Sequence, residues 1–131
     1  MKPITRTANA LAAAAIAIGI MMAAPMTARA VTPKIVDATA EVQSNGLYAF
    51  SVTVLHEDAG WTHYADSWDV LTVNGQVLGT RTLFHPHDGE NPFTRSLSNV
   101  QVPIGARHVV FRAHCTQDGY GETFQLELPP R

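Results

Sequence analysis

The chain has 131 residues, 46% of them hydrophobic and 15% charged, with a formal net charge of −2. That length allows one domain, or a short segment plus one domain, and the composition is too apolar for a disordered chain and too poor in charge for a coiled coil. No basic run offers nucleic acid an electrostatic footprint, and a single Cys excludes a disulfide framework within the chain.

Residues 1–30 have the pattern of a secretory signal peptide. Lys2 and Arg6 supply a basic start, and Ala10 to Ala24 is an uncharged run of 15 residues. A spanning helix needs about 20, so the run suits an export signal better than an anchor. Pro25 ends it, and Ala28-Arg29-Ala30 is the small-x-small pattern that signal peptidase cuts after. The only Cys, Cys115, is far from that point, so a lipoprotein signal is not expected, and Arg6 has no Arg neighbour for a twin-Arg signal. The expected destination is the periplasm, with no membrane anchor after cleavage. Without residues 1–30 the chain keeps six of nine Lys+Arg and all eleven Asp+Glu, a formal net charge of −5, and has no Met.

Residues 31–131 have the pattern of one all-β domain. Val36, Ala38, Ala40 and Val42 alternate with polar or small residues, and Ser44-Asn45-Gly46 marks a turn. Tyr48, Phe50, Val52 and Val54 then give the cleanest period of two. A third strand is expected over about 67–73. Asn74-Gly75 follows as a hairpin signal, with both turn residues expected at positive φ. The fourth to seventh strands are expected over about 76–84, 94–102, 107–114 and 123–128. Seven short strands in about 100 residues suggest an immunoglobulin or fibronectin-III-like sandwich, with Trp68 filling the space between its sheets. The inter-sheet Cys pair is absent, which favours the fibronectin type.

In that topology the second-to-third, fourth-to-fifth and sixth-to-seventh connections share one pole. Five of the six His residues fall in those connections or at their edge. The other pole has only plain turns, at Asn45-Gly46, Asn74-Gly75 and Pro103-Ile104-Gly105. In His85-Pro86-His87 the proline keeps His85 extended, so the two imidazoles point the same way, ~6–7 Å apart along the chain. They could lean onto one ion, with His63 and His56 joining from the earlier loop and Glu90 or Asp88 as carboxylate. Imidazole with carboxylate suits Zn, Cu(II) or Ni(II), and Ca less, because a hard ion wants oxygen. The lack of Met after residue 30 argues against a thioether Cu(I) site or a blue-copper site with axial Met.

Trp61, Tyr64, Asp66 and Tyr120 support a different use of the same pole, as a surface that binds a protein or a glycan. No G-x-S-x-G signature of nucleophilic catalysis occurs. Cys115 beside His114 raises a comparison with the iron site of superoxide reductases. There the Cys and last His sit three residues apart with an Asn after the Cys, whereas Cys115-Thr116-Gln117-Asp118 stands here, and the match fails. A single free or partly buried thiol is the plainer expectation.

The stretches Gly60-Trp61-Thr62-His63-Tyr64-Ala65-Asp66-Ser67-Trp68-Asp69-Val70, Leu78-Gly79-Thr80-Arg81, His85-Pro86-His87 and Pro92-Phe93-Thr94-Arg95-Ser96-Leu97 together resemble a family of small secreted bacterial proteins with one β-sandwich domain. The resemblance implies a shared fold and loop pole but supplies no activity. It leads one to expect an Asp and then a His ahead of Gly-Tyr-Gly, where this chain has Cys115 and Asp118. The sequence therefore points first to a periplasmic module that stores, carries or senses a divalent metal ion, second to an interaction domain, and last to a small metalloenzyme acting on reactive oxygen species.

Overall fold

The computed structural model describes Pro3 and residues 32–131, so the signal peptide expected over residues 1–30 lies outside the described residues. The described residues contain no helix and form two antiparallel sheets. One sheet has the order β1-β2-β5, from β1 (Lys34–Val42), β2 (Tyr48–Leu55) and β5 (Phe93–Val100). The other has β4 (Val77–Thr82), β3 (Ala65–Leu71) and β6 (His108–Cys115) in the order β4-β3-β6, and β6 also pairs with β7 (Gly119–Tyr120) and β8 (Phe124–Glu127).

Alternation in the sequence becomes burial between the sheets. Tyr48, Phe50, Val52 and Val54 of β2 face Trp68 and Val70 of β3 and Val109, Phe111 and Ala113 of β6 in one core. Trp68 is fully buried, and its ring meets Phe111 edge-on at 6.0 Å, while Phe50 meets Phe111 from the other sheet at 5.3 Å. Both are favoured edge-to-face arrangements.

Two local expectations are corrected. Eight strands form rather than seven, because the chain pairs briefly after β6, at His114↔Tyr120 and Cys115↔Gly119, before β8 begins. A two-residue bridge has no period to read. The Asn74-Gly75 hairpin forms, but only Gly75 takes positive φ (91°). The backbone bonds Gly75 N–H to Thr72 C=O (2.9 Å) and Thr72 N–H to Gln76 C=O (2.8 Å) close a three-residue loop, whose last residue alone needs the left-handed region. Residues Gln43–Leu47 repeat the pattern, with bonds of 2.9 and 2.7 Å and Gly46 at φ 80°.

One glycine is required by packing rather than by a turn. A Cβ on Gly121 would overlap the carbonyl of Pro33, so Gly121 lets the chain ahead of β1 lie directly against the segment between β7 and β8.

Candidate metal centre

The strand order brings the β2–β3, β4–β5 and β6–β7 connections to one pole, and hydrogen bonds tie them together. The Tyr64 N–H donates to Thr116 Oγ1 (3.2 Å), and the Thr116 N–H to Tyr64 C=O (3.0 Å). From the β4–β5 loop, Asn91 Oδ1 accepts the His56 N–H at 3.1 Å. Within the β2–β3 loop, Ala59 N–H to His63 C=O (2.7 Å) folds the chain back at Gly60, returning His63 beside His56. Their rings lie 5.2 Å apart.

Four side chains converge there. Ligand atoms of His56, His63, Cys115 and Asp118 all lie within 4.8 Å of one another. His56 follows β2 in one sheet, whereas Cys115 ends β6 in the other. Cys115 points inward because it continues the buried phase Val109, Phe111, Ala113. Asp118 sits in the tight turn before β7. Its Oδ2 accepts from His63 Nε2–H at 3.0 Å and from the Cys115 thiol at 3.8 Å.

Behind this group stands Asp58, whose side chain is fully buried. Its Oδ1 accepts from His56 Nδ1–H (2.6 Å) and from the Ala65 N–H (3.0 Å), and its Oδ2 from the His87 N–H (2.7 Å). Burial works to raise its pKa, but the backbone bonds from His87 and Ala65 and the bond and charge of His56 outweigh it, leaving the carboxyl below its usual 3.8. Asp58 therefore holds the His56 ring in the tautomer that leaves Nε2 as a bare acceptor. That Nε2 is buried and has no hydrogen-bond partner among the described residues. A carboxylate behind an imidazole whose other nitrogen is free is the arrangement that orients metal-ligating histidines.

The five residues expected to hold an ion are thus divided. His56 and His63 lie in the group, while His85, His87 and Glu90 do not. The His85 and His87 rings do approach, at 4.7 Å. His87, however, is buried with its ring stacked on Phe93 at 3.7 Å and its Nδ1 3.5 Å from Asp58 Oδ2. Burial, then the positive charges of Arg95 and His85, hold its pKa below the usual 6.5. His85 is exposed, its Nδ1–H donating to Pro86 C=O at 3.0 Å. Glu90 takes both ends of the Arg95 guanidinium at 3.2 Å, and that bond holds its pKa below the usual carboxylate value.

Among the residues expected to bind a partner, Trp61 is 68% exposed, with its ring against Tyr64 at 5.8 Å. Tyr120 is 49% exposed, with the Arg112 guanidinium 3.9 Å from its ring centre. Asp66 accepts from His114 Nδ1–H at 2.5 Å on the outer side of β6. Sequence reasoning left Cys115 as a plain thiol and did not place Asp118 among the ligands of the imidazole site. The signal for both was the inward phase of β6, carried one step past Ala113, with the acid three residues on in the turn.

No protein-family model matches the chain, and no solved structure matches it. A curated protein of Halomicrobium mukohataei, named "Putative lipoprotein", is 44% identical to it over 87 residues, which is 66% of this chain and 42% of the relative. The chain spans less than half the length of that relative.

Proposed function

We propose that this chain is an exported metal-binding module that holds one divalent transition-metal ion between His56, His63, Cys115 and Asp118. The observation that carries the proposal is the buried His56 Nε2, without a partner among the described residues, on a ring oriented by a buried carboxylate. A bare acceptor there carries a desolvation cost that an ion removes. Imidazole and thiol donors suit Zn or Cu(II) and disfavour Ca. The module would store, carry or sense the ion, in the periplasm after cleavage near Ala30. Export is supported by the pattern of residues 1–30 and by a relative named as a lipoprotein. A fibronectin-type domain is supported by the strand orders β1-β2-β5 and β4-β3-β6-β8 with Trp68 between the sheets.

Calorimetric titration of metal-free protein with zinc tests the site. Wild type should bind about one ion per chain, more weakly as pH falls through the range where imidazole protonates, about 6.5. His56→Ala and Asp118→Asn should lose affinity, and His85→Ala and Glu90→Gln should keep it. Equal affinity in all five proteins, or none tighter than ~1 mM, would remove the proposal.

The exposed Trp61 favours a second reading, a surface that binds a protein or glycan through Trp61, Tyr64 and Tyr120. Trp61→Ala would then abolish partner capture while leaving zinc binding intact.

A further inference from the structure

We infer that the ion suited to this site is copper, and that Cys115 binds it as a thiolate. The inference rests on the metal-binding proposal and narrows it to one element and one bond.

The donor set supplies the first argument. Two imidazoles, one thiol and one carboxylate converge, and Cys115 is the only Cys in the chain, so no second thiolate can come from it. Closed zinc sites use Cys₄, Cys₃His or Cys₂His₂, and open ones His₃, His₂Glu or Cys₂His. Two imidazoles with a single thiolate and a weaker further donor is the arrangement of copper sites. Asp118 supplies that further donor as an oxygen. For a given set of nitrogen, oxygen and sulfur donors, copper(II) also binds more tightly than zinc.

The surroundings of the sulfur supply the second. Cys115 is fully buried, and β6 is paired at this position on both sides, to Ala65 of β3 and to Gly119 of β7. The two ladders fix its backbone, and on the side away from the other ligands its neighbours in the sheet are the buried, apolar Ala65, opposite it on β3, and Ala113, two residues before it on β6. An apolar shell and a fixed position are the levers by which a protein tunes a copper–thiolate bond. Across the sandwich His56 is fixed as firmly, by Asp58. The donors thus come from both sheets, and the ion would bridge them at the open end.

The hydrogen bonds show what the ion would replace. His63 Nε2–H and the Cys115 S–H now both donate to Asp118 Oδ2. Copper(II) would take the thiol sulfur with loss of its proton to solvent, the bare His56 Nε2, the Asp118 carboxylate, and His63 Nε2 once its proton has passed to Nδ1 of the same ring. The S–H bond breaks, the S–Cu bond forms, and the copper keeps its charge of +2 with no electron moved.

Titration of metal-free protein with copper(II) sulfate, followed by visible absorption, tests this. An intense sulfur-to-copper charge-transfer band should grow to about one ion per chain and survive equimolar zinc. Cys115→Ser should lose the band entirely and still bind zinc. If Cys115→Ser does not fold, cobalt(II) titration of wild type replaces it, and a sulfur-to-cobalt band would support the thiolate bond. Copper bound without the band, copper displaced by equimolar zinc, cobalt bound without a sulfur band, or oxidation to a Cys115-linked dimer would overturn the inference and leave the metal module standing. No binding of copper, zinc or cobalt would overturn both.

Discussion

At one pole the turns Gln43–Leu47 and Thr72–Gln76 close on their own backbone with local bonds from Asn45 and Thr72. Among the described residues, the only long-range bonds added to them are exposed ones, Asn45 Nδ2–H to Asn99 Oδ1 (3.3 Å) and Asn99 N–H to Gln43 Oε1 (2.7 Å). At the other pole the three connections close on one another through side chains, the deepest of them the buried Asp58. Asp58 alone accepts from two backbone amides of different segments and from one imidazole, and Thr116 and Gln117 both donate to Thr62 C=O. The first kind of closure is local and transferable. The second gathers polar groups that are costly to bury unless each has a partner, and of the two imidazole nitrogens left without one there, His56 Nε2 and His87 Nδ1, only that of His56 belongs to a ring grouped with other ligand side chains.

Substitutions can break this contrast at different depths. Trp68→Ala, in the core shared by both poles, should cost ~3–5 kcal/mol in urea unfolding. A loss below ~1 kcal/mol would place the ring outside the core. Asp58→Asn keeps the shape but removes the charge and one acceptor oxygen, and it should cost ~1–3 kcal/mol. It should also weaken zinc binding ~10–100-fold, since the ring it orients would lose its support. Unchanged affinity would separate the buried network from the site. At the plain pole, Gly75→Ala should cost only about 1 kcal/mol, from the positive φ alone, with zinc affinity untouched.

Acidification sharpens the same contrast. The His87 ring has a lowered pKa in the folded protein, so the unfolded chain binds its proton first. Its contribution to stability is complete above about pH 6.5 and is lost as pH falls through the lowered folded value. Urea unfolding at about pH 7.5 and about pH 5 should show wild type losing more stability than His87→Phe, which keeps the stack on Phe93. Asp58 adds loss of the same sign only at lower pH, below its usual 3.8. An equal loss in both proteins would mean that the ring titrates as it does in the unfolded chain.

The division between the poles was legible in the sequence, because His and Asp residues crowd three connections and Asn-Gly pairs mark two others. The core was legible for the same elementary reason: β2 alternates without a break, and each residue of its apolar phase is buried. Which histidines meet was not legible. His85 and His87 do lean together, as two positions on an extended chain should. Yet spacing says nothing about Phe93 covering one ring face, Asp58 standing at its edge, or Arg95 capturing Glu90. His56 and His63 are seven positions apart with no period between them, and only the turn at Gly60 joins them. Cys115 was readable from the phase of β6. What obscured it was its place at the end of a strand, where alternation ordinarily gives way to loop.

Pro33 lies against Gly121, and Lys34 pairs with Leu55, the residue before His56. The chain consequently enters the domain beside the ligands and not at the far end. A bulky group fused directly ahead of Thr32 would therefore crowd the ligand-bearing pole, whereas one inserted at the Asn74-Gly75 turn would leave it open.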